Sequence, residues 1–261
     1  MLEIARYEAG RRRRSSVVLA VALGVVAAFF VAFFPSFEEA GVEDIQDAFP
    51  PALQEMFGIE AMDTIEGFLA VEIYNFVWVL FVGLFFAYTA AGIVARGVET
   101  GTFELLYSYP VSRRRVVFEQ VGSLAVPVVV LNVVVALSVY VGVFAIGESI
   151  DPIRLLMVHA LSIPYFLACI GIGLLLSVSV RRADVAQRIA LGVVFGLWLL
   201  DSITASIDDL AWVGRASPTY YYDPTAVLVH GTYDLVDAAV LVVAFSLLVA
   251  LGVWRFDRRD V

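Results

Sequence analysis

Six long apolar runs separated by short polar stretches dominate the chain. They lie near Ser16–Phe34, Phe68–Val94, Val116–Ile146, Ile153–Val180, Ile189–Ile207 and Leu235–Trp254. Each is long enough to cross about 30 Å of hydrocarbon as a helix, which takes roughly 20 residues. Several are rich in valine, yet they are expected to be helical, because lipid offers no hydrogen-bond partner to an open strand edge. The pattern predicts an all-α membrane protein with six transmembrane helices, residues 1–261 forming a single transmembrane domain. The third run exceeds one crossing, and Pro127 is placed to break or kink it; Pro164 is a second candidate kink.

The polar stretches carry their own patterns. In 1–14, Leu2, Ile4, Ala5 and Ala9 alternate with Glu3, Arg6, Glu8 and the Arg11–Arg14 run. That spacing predicts an interfacial helix with its arginines toward headgroups, or else a basic terminus that only fixes orientation. Nothing there resembles a cleaved signal, so the first run is expected to remain as a helix. Between the first two runs, Ile45, Phe49, Leu53, Met56 and Phe57 recur at helical spacing among nine acids and no base. A short amphipathic surface helix is the expectation.

Charge orients the spans. Fifteen of the 17 basic residues, all of them arginine, fall on one side: Arg6, Arg11–Arg14, Arg96, Arg113–Arg115, Arg181, Arg182, Arg188, Arg255, Arg258 and Arg259. Only Arg154 and Arg215 fall on the other. By the positive-inside rule both termini are cytoplasmic, and so is the loop between the second and third spans. Mean hydropathy of +0.88 leaves no length for a separate soluble domain. A chain without lysine cannot contain a Walker-type phosphate loop, so no ATP or Mg is expected on it. Its net charge of -9 resembles the acidic, lysine-poor proteins of salt-loving archaea, although GC-rich coding also replaces lysine with arginine.

Candidate chemistry is sparse. Cys169 lies alone in an apolar run, and His159 and His230 are the only histidines, which disfavours a metal or disulfide framework. There is no Gly-x-Ser-x-Gly elbow, so an intramembrane enzyme ranks below other readings. Polar residues at membrane depth need a reason, because an unpaired charge there is costly. Glu72 and Asn75, three apart in the second span, and Asp201 in the fifth are candidates for lining a pathway or a subunit interface. Asn132 and His159 read as interhelical hydrogen-bonding residues. Gly192-x-x-x-Gly196 permits close helix packing and a dimer seam.

The loop between the second and third spans holds the densest pattern. Thr102 can cap a short helix through Phe103, Leu105 and Leu106, Pro110 stops it, and Ser112 can cap the next. On spacing alone this is either a capped, charged loop or a helix shaped to dock on another protein. The residues Glu99-x-Gly101-Thr102-x-Glu104-x-Leu106-x-Ser108-x-Pro110-Val111-Ser112-Arg113 resemble the segment after the second span in permease subunits of ABC-2 type transporters. Tyr107, Tyr109 and Gln120 depart from the family pattern, which usually has aliphatic residues at the first two and often a lysine near the third. Ser217-Pro218-x-x-Tyr221-Tyr222-Asp223-Pro224 resembles the stretch before the family's last span.

The resemblance implies a short cytoplasmic coupling helix that contacts a separate ATP-binding subunit through Glu99, Gly101, Thr102, Glu104, Leu106, Ser108, Pro110 and Arg113. It also implies export across the plasma membrane and a homodimer or heterodimer of permeases, surrounded by membrane lipid, with no nucleic-acid partner. ATP and Mg would reside on the partner subunit. A non-transporting scaffold, docking through its acidic and aromatic outer loops, is the alternative.

Overall fold

A computed structural model describes residues 3–39, 50, 61–101, 112–205 and 207–258, the side chains of 3–9, 11, 113 and 208 excepted. Among these residues every regular element is a helix, and six helical stretches are long and apolar enough to cross a membrane. The Ile45–Phe57 surface pattern and the Thr102–Pro110 helix expected from sequence lie outside the described residues.

The first span belongs to one helix, α1 (Glu3–Glu39), with no break separating the 3–14 stretch from the apolar run. The second begins as α2 (Ile65–Leu69), capped by Thr64, whose Oγ1 accepts the Gly67 N–H at 3.1 Å. It continues as a π-helix over Ala70–Val82 and ends as α3 (Gly83–Glu99).

The third run divides into α4 (Arg113–Gly122) and α5 (Ala125–Ala145), with a turn at Ser123–Leu124. Pro127 accounts for the place of this break. Its ring would collide with the carbonyl four residues earlier, that of Ser123, so the helix restarts in time to put the proline in its first turn. The fourth span is α6 (Pro152–Ser179), which carries Pro164 internally without interruption. The fifth is α7 (Ala183–Ala205) and the sixth α10 (Leu235–Asp257). Between them lie α8 (Ala211–Gly214), a 3-10 turn at Pro218–Tyr221 and α9 (Pro224–Leu228).

Aspartates start several of these helices. Asp151 accepts the Ile153 N–H at 2.8 Å, Asp223 those of Thr225 and Ala226, and Asp234 those of Val236 and Asp237. Each satisfies otherwise orphaned donors and sets a negative charge against the positive helix end.

Span four is the hub: α6 packs most extensively on α3 and α10, and also touches α5, α7 and α9. Two thirds of the most apolar stretch is buried by the chain itself in spans two and four (67% each), against 17% in span five and 22% in span six. The α3–α6 seam is built from small residues. A Cβ on Gly173 would collide with the Ala87 carbonyl oxygen and stand 2.9 Å from Ala90 Cβ and 3.0 Å from Ala91 N. One turn further on, the Ser177 hydroxyl accepts the Val94 and Ala95 N–H groups at 2.9 and 3.0 Å. Gly173-x-x-x-Ser177 is therefore a small-residue motif that lets two backbones meet where lipid supplies no hydrophobic drive.

Candidate functional site

At the arginine-rich end, α3 stops at a left-handed glycine. Thr100 returns its N–H to the Arg96 carbonyl and Gly101, at φ +67°, bonds the Val98 carbonyl. A side chain at Gly101 would be strained by its backbone rather than by any neighbour, since nothing lies within 4 Å of its Cβ position.

Glu99, in the last turn of α3, does something its sequence neighbourhood did not announce. Its Oε2 accepts the Ala183 N–H at 3.1 Å, capping the start of the fifth span. Gln187, one turn along α7, donates to the Tyr88 carbonyl of α3 at 3.3 Å. Beyond the loop, Ser112 caps α4 as its sequence predicts, accepting the Arg115 N–H. Arg114 reaches Asp257 at the end of the sixth span, 2.6 Å away. The base of the 96–115 loop is thus tied at one side to span five and at the other to span six. Of the contact residues expected there, the backbones of Glu99, Gly101 and Arg113 are described; Thr102, Glu104, Leu106, Ser108 and Pro110 lie outside the described residues.

The candidate pathway residues do not form one group. Asn75 Nδ2 donates to Thr225 of α9 at 3.0 Å, linking span two to the last connection. Glu72 is half-buried and its carboxylate has no hydrogen bond or ion pair among the described residues. The i to i+5 winding of the π-helix sets residues three apart further round from one another than an α-helix would. Asp201 turns toward the last connection, hydrogen-bonded to Thr219 and facing Gly214. Cβ atoms added at Gly192 and Gly196 meet nothing within 4 Å, so this pair packs against no helix among the described residues.

The most connected polar cluster lies between spans two, three and four. Tyr74 OH meets His159 Nε2 at 3.0 Å, His159 Nδ1 meets Asn132 Oδ1 at 3.1 Å, and the Asn132 amide donates to the Val128 carbonyl at 2.8 Å. Ser162 Oγ lies 3.0 Å from Asn132 Oδ1. With the Asn132 oxygen facing Nδ1, the imidazole proton sits on Nδ1 and Nε2 accepts from the tyrosine. Both nitrogens are thereby used in holding helices together. Sequence reasoning identified Asn132 and His159 for this role and missed Tyr74, whose spacing gives no sign that it points at a histidine 85 residues away.

The last connection is packed rather than draped. Tyr222 is buried and donates to the Val158 carbonyl at 2.7 Å, its ring stacked on Tyr165. Burial holds its phenol protonated, well above the usual range. Arg154 NH1 bonds the Leu228 and Val229 carbonyls at the end of α9. In the Ser-Pro-x-x-Tyr-Tyr-Asp-Pro run, Ser217 and Asp223 are caps, Pro218 and Pro224 occupy first helical turns, and Tyr222 is the anchor.

The bundle therefore has a tied loop base at its arginine-rich end, a hydrogen-bonded centre and a packed last connection at the opposite end. No curated protein matches the sequence. A family model described as ABC-2 family transporter protein matches residues 2–261. With a match over nearly its whole length, the chain belongs to the ABC-2 transporter family, as a multi-pass membrane component of an ABC transporter.

Proposed function

We propose that the chain is the permease subunit of an ATP-driven exporter, with both termini and the 96–115 loop in the cytoplasm. A separate ATP-binding subunit holds the ATP and Mg and docks on a coupling helix within 102–110, contacting Glu99, Gly101, Thr102, Glu104, Leu106, Ser108, Pro110 and Arg113. Arginine asymmetry supports the orientation.

The observation that carries the coupling is the Glu99–Ala183 hydrogen bond, seconded by Arg114–Asp257. A push on the loop moves spans five and six, which continue directly into the packed last connection through Asp201 and Asp234. Rigid helices then convert partner closure into motion at the outer mouth. Glu72, Asn75 and Asp201 line the pathway or the seam between subunits. Gly192 and Gly196, unoccupied within the chain, suit close approach of a second permease. The acidic, lysine-free composition suits a plasma membrane facing high salt.

The test is co-purification at native salt of a tagged chain with its ATP-binding subunit, beside a Glu99→Ala, Gly101→Val variant. An ATPase that accompanies the wild type and is lost from the variant is the expected result. If none appears even after crosslinking, the chain is better described as a scaffold.

A further inference from the structure

The ends of spans four and six flank an open cleft of about 280 Å³ lined by Val178, Ser179, Trp254, Arg255 and Arg258. Its chemistry divides along α10. Val243, Leu247, Leu251 and Trp254 are all exposed and recur every three to four residues, so they form one apolar stripe along the helix. Arg258 continues that stripe at its end, its guanidinium 4.1 Å from the Trp254 ring centre. Neither Arg255 nor Arg258 has a carboxylate partner among the described residues; Asp257 between them is taken by Arg114.

Two helix carboxyl ends border the cleft, each equivalent to about half a negative charge, and the two guanidiniums exceed that sum. The surroundings thus ask for an anion. The apolar stripe asks for that anion to carry a long hydrocarbon tail. Tryptophan at such a level marks the headgroup region of a bilayer, and basic clefts between spans are where phosphate headgroups settle.

We infer that this cleft binds one anionic phospholipid, its phosphodiester held by Arg255 and Arg258 and one acyl chain laid along Trp254, Leu251 and Leu247. An acidic segment of a partner protein would match the arginines but has no use for the stripe leading away from them.

Native mass spectrometry of the detergent-purified chain titrated with phosphatidylglycerol or phosphatidylcholine tests this. The wild type should retain one phosphatidylglycerol, and Arg255→Gln with Arg258→Gln should bind it about thirty-fold more weakly. Arg13→Gln with Arg14→Gln, which removes the same charge from α1, should bind as the wild type does. These arginines are exposed, and unchanged circular dichroism and elution will show that each variant is folded. The inference is overturned if the Arg255/Arg258 variant retains the lipid equally, if the Arg13/Arg14 variant loses it equally, or if phosphatidylcholine binds as tightly. It is also overturned if inorganic phosphate alone displaces the lipid stoichiometrically, or if phenylglyoxal modification of Arg255 and Arg258 is blocked by the ATP-binding subunit and not by lipid.

Discussion

At Gly173 the fourth span comes so close to the second that a single added carbon would strike backbone, whereas at Gly192 and Gly196 the fifth span looks onto open space. Both sites carry small residues four apart in an apolar helix, and on sequence alone the Gly-x-x-x-Gly pair is the more familiar signal. What separates them is the facing surface. Ala87, Ala90 and Ala91 offer α6 an equally shaved partner, and Ser177 adds a hydroxyl that two backbone N–H groups reach. No helix among the described residues presents such a surface to Gly192. A small-residue motif therefore marks a place where approach is permitted, and only the second surface decides whether it happens within a subunit or between two.

The largest expected effect breaks the first seam. Gly173→Val forces α3 and α6 apart and should destabilise the chain by about 3 kcal/mol, read as loss of monodisperse protein and a large fall in Tm in detergent. Asn132→Leu comes next. It strands the Nδ1–H of His159 and should cost about 1 to 2 kcal/mol in thermal unfolding, and a Tm equal to wild type would show that the cluster is dispensable. Ser177→Ala removes an acceptor but opens only a small gap, so about 1 kcal/mol is expected.

Glu99→Ala should lower Tm by less, on the order of 0.5 to 1 kcal/mol, while Glu99→Gln, which keeps an oxygen for the Ala183 N–H, should restore it. Equal losses in the two would mean that charge rather than the cap matters. The smallest effect is Gly192→Val with Gly196→Val, within about 0.5 kcal/mol for the isolated chain. Its consequence should appear instead as a lower dimer fraction in crosslinking if the second permease packs there.

How much of this was readable in advance depends on what each feature answers to. The six spans follow from composition and length, which the bilayer imposes on any chain, although α1 begins at Glu3, well before its apolar run starts at Ser16. Ser112 was readable because a cap is a local bargain between a hydroxyl and an N–H three residues on. The Ser123–Leu124 turn was nearly so: Pro127 announced it, and the i−4 carbonyl rule places it.

The π-helix was not readable, since its residues have the same hydropathy wound either way. Glu99 was read for the loop it borders and not for the helix it caps, because Ala183 is distant in sequence and its N–H is a backbone group with no signature. Tyr74, Gly173 and Ser177 escaped for the same reason: each takes its meaning from a partner on another span.

The π winding of residues 70–82 also bears on how the second span tolerates insertions and deletions. Thirteen residues wound with i+5 bonds complete fewer turns than they would with i+4 bonds, so the segment stores slack. Loss of one residue there can be absorbed by tightening a turn toward α geometry, leaving α3 in phase with Gly173 and Ser177. The same deletion in 83–99 has no slack to draw on and would turn everything beyond it by about 100°, carrying Glu99 away from the start of the fifth span. In the genetics of this protein, the upper half of span two should be forgiving of length and the lower half strict.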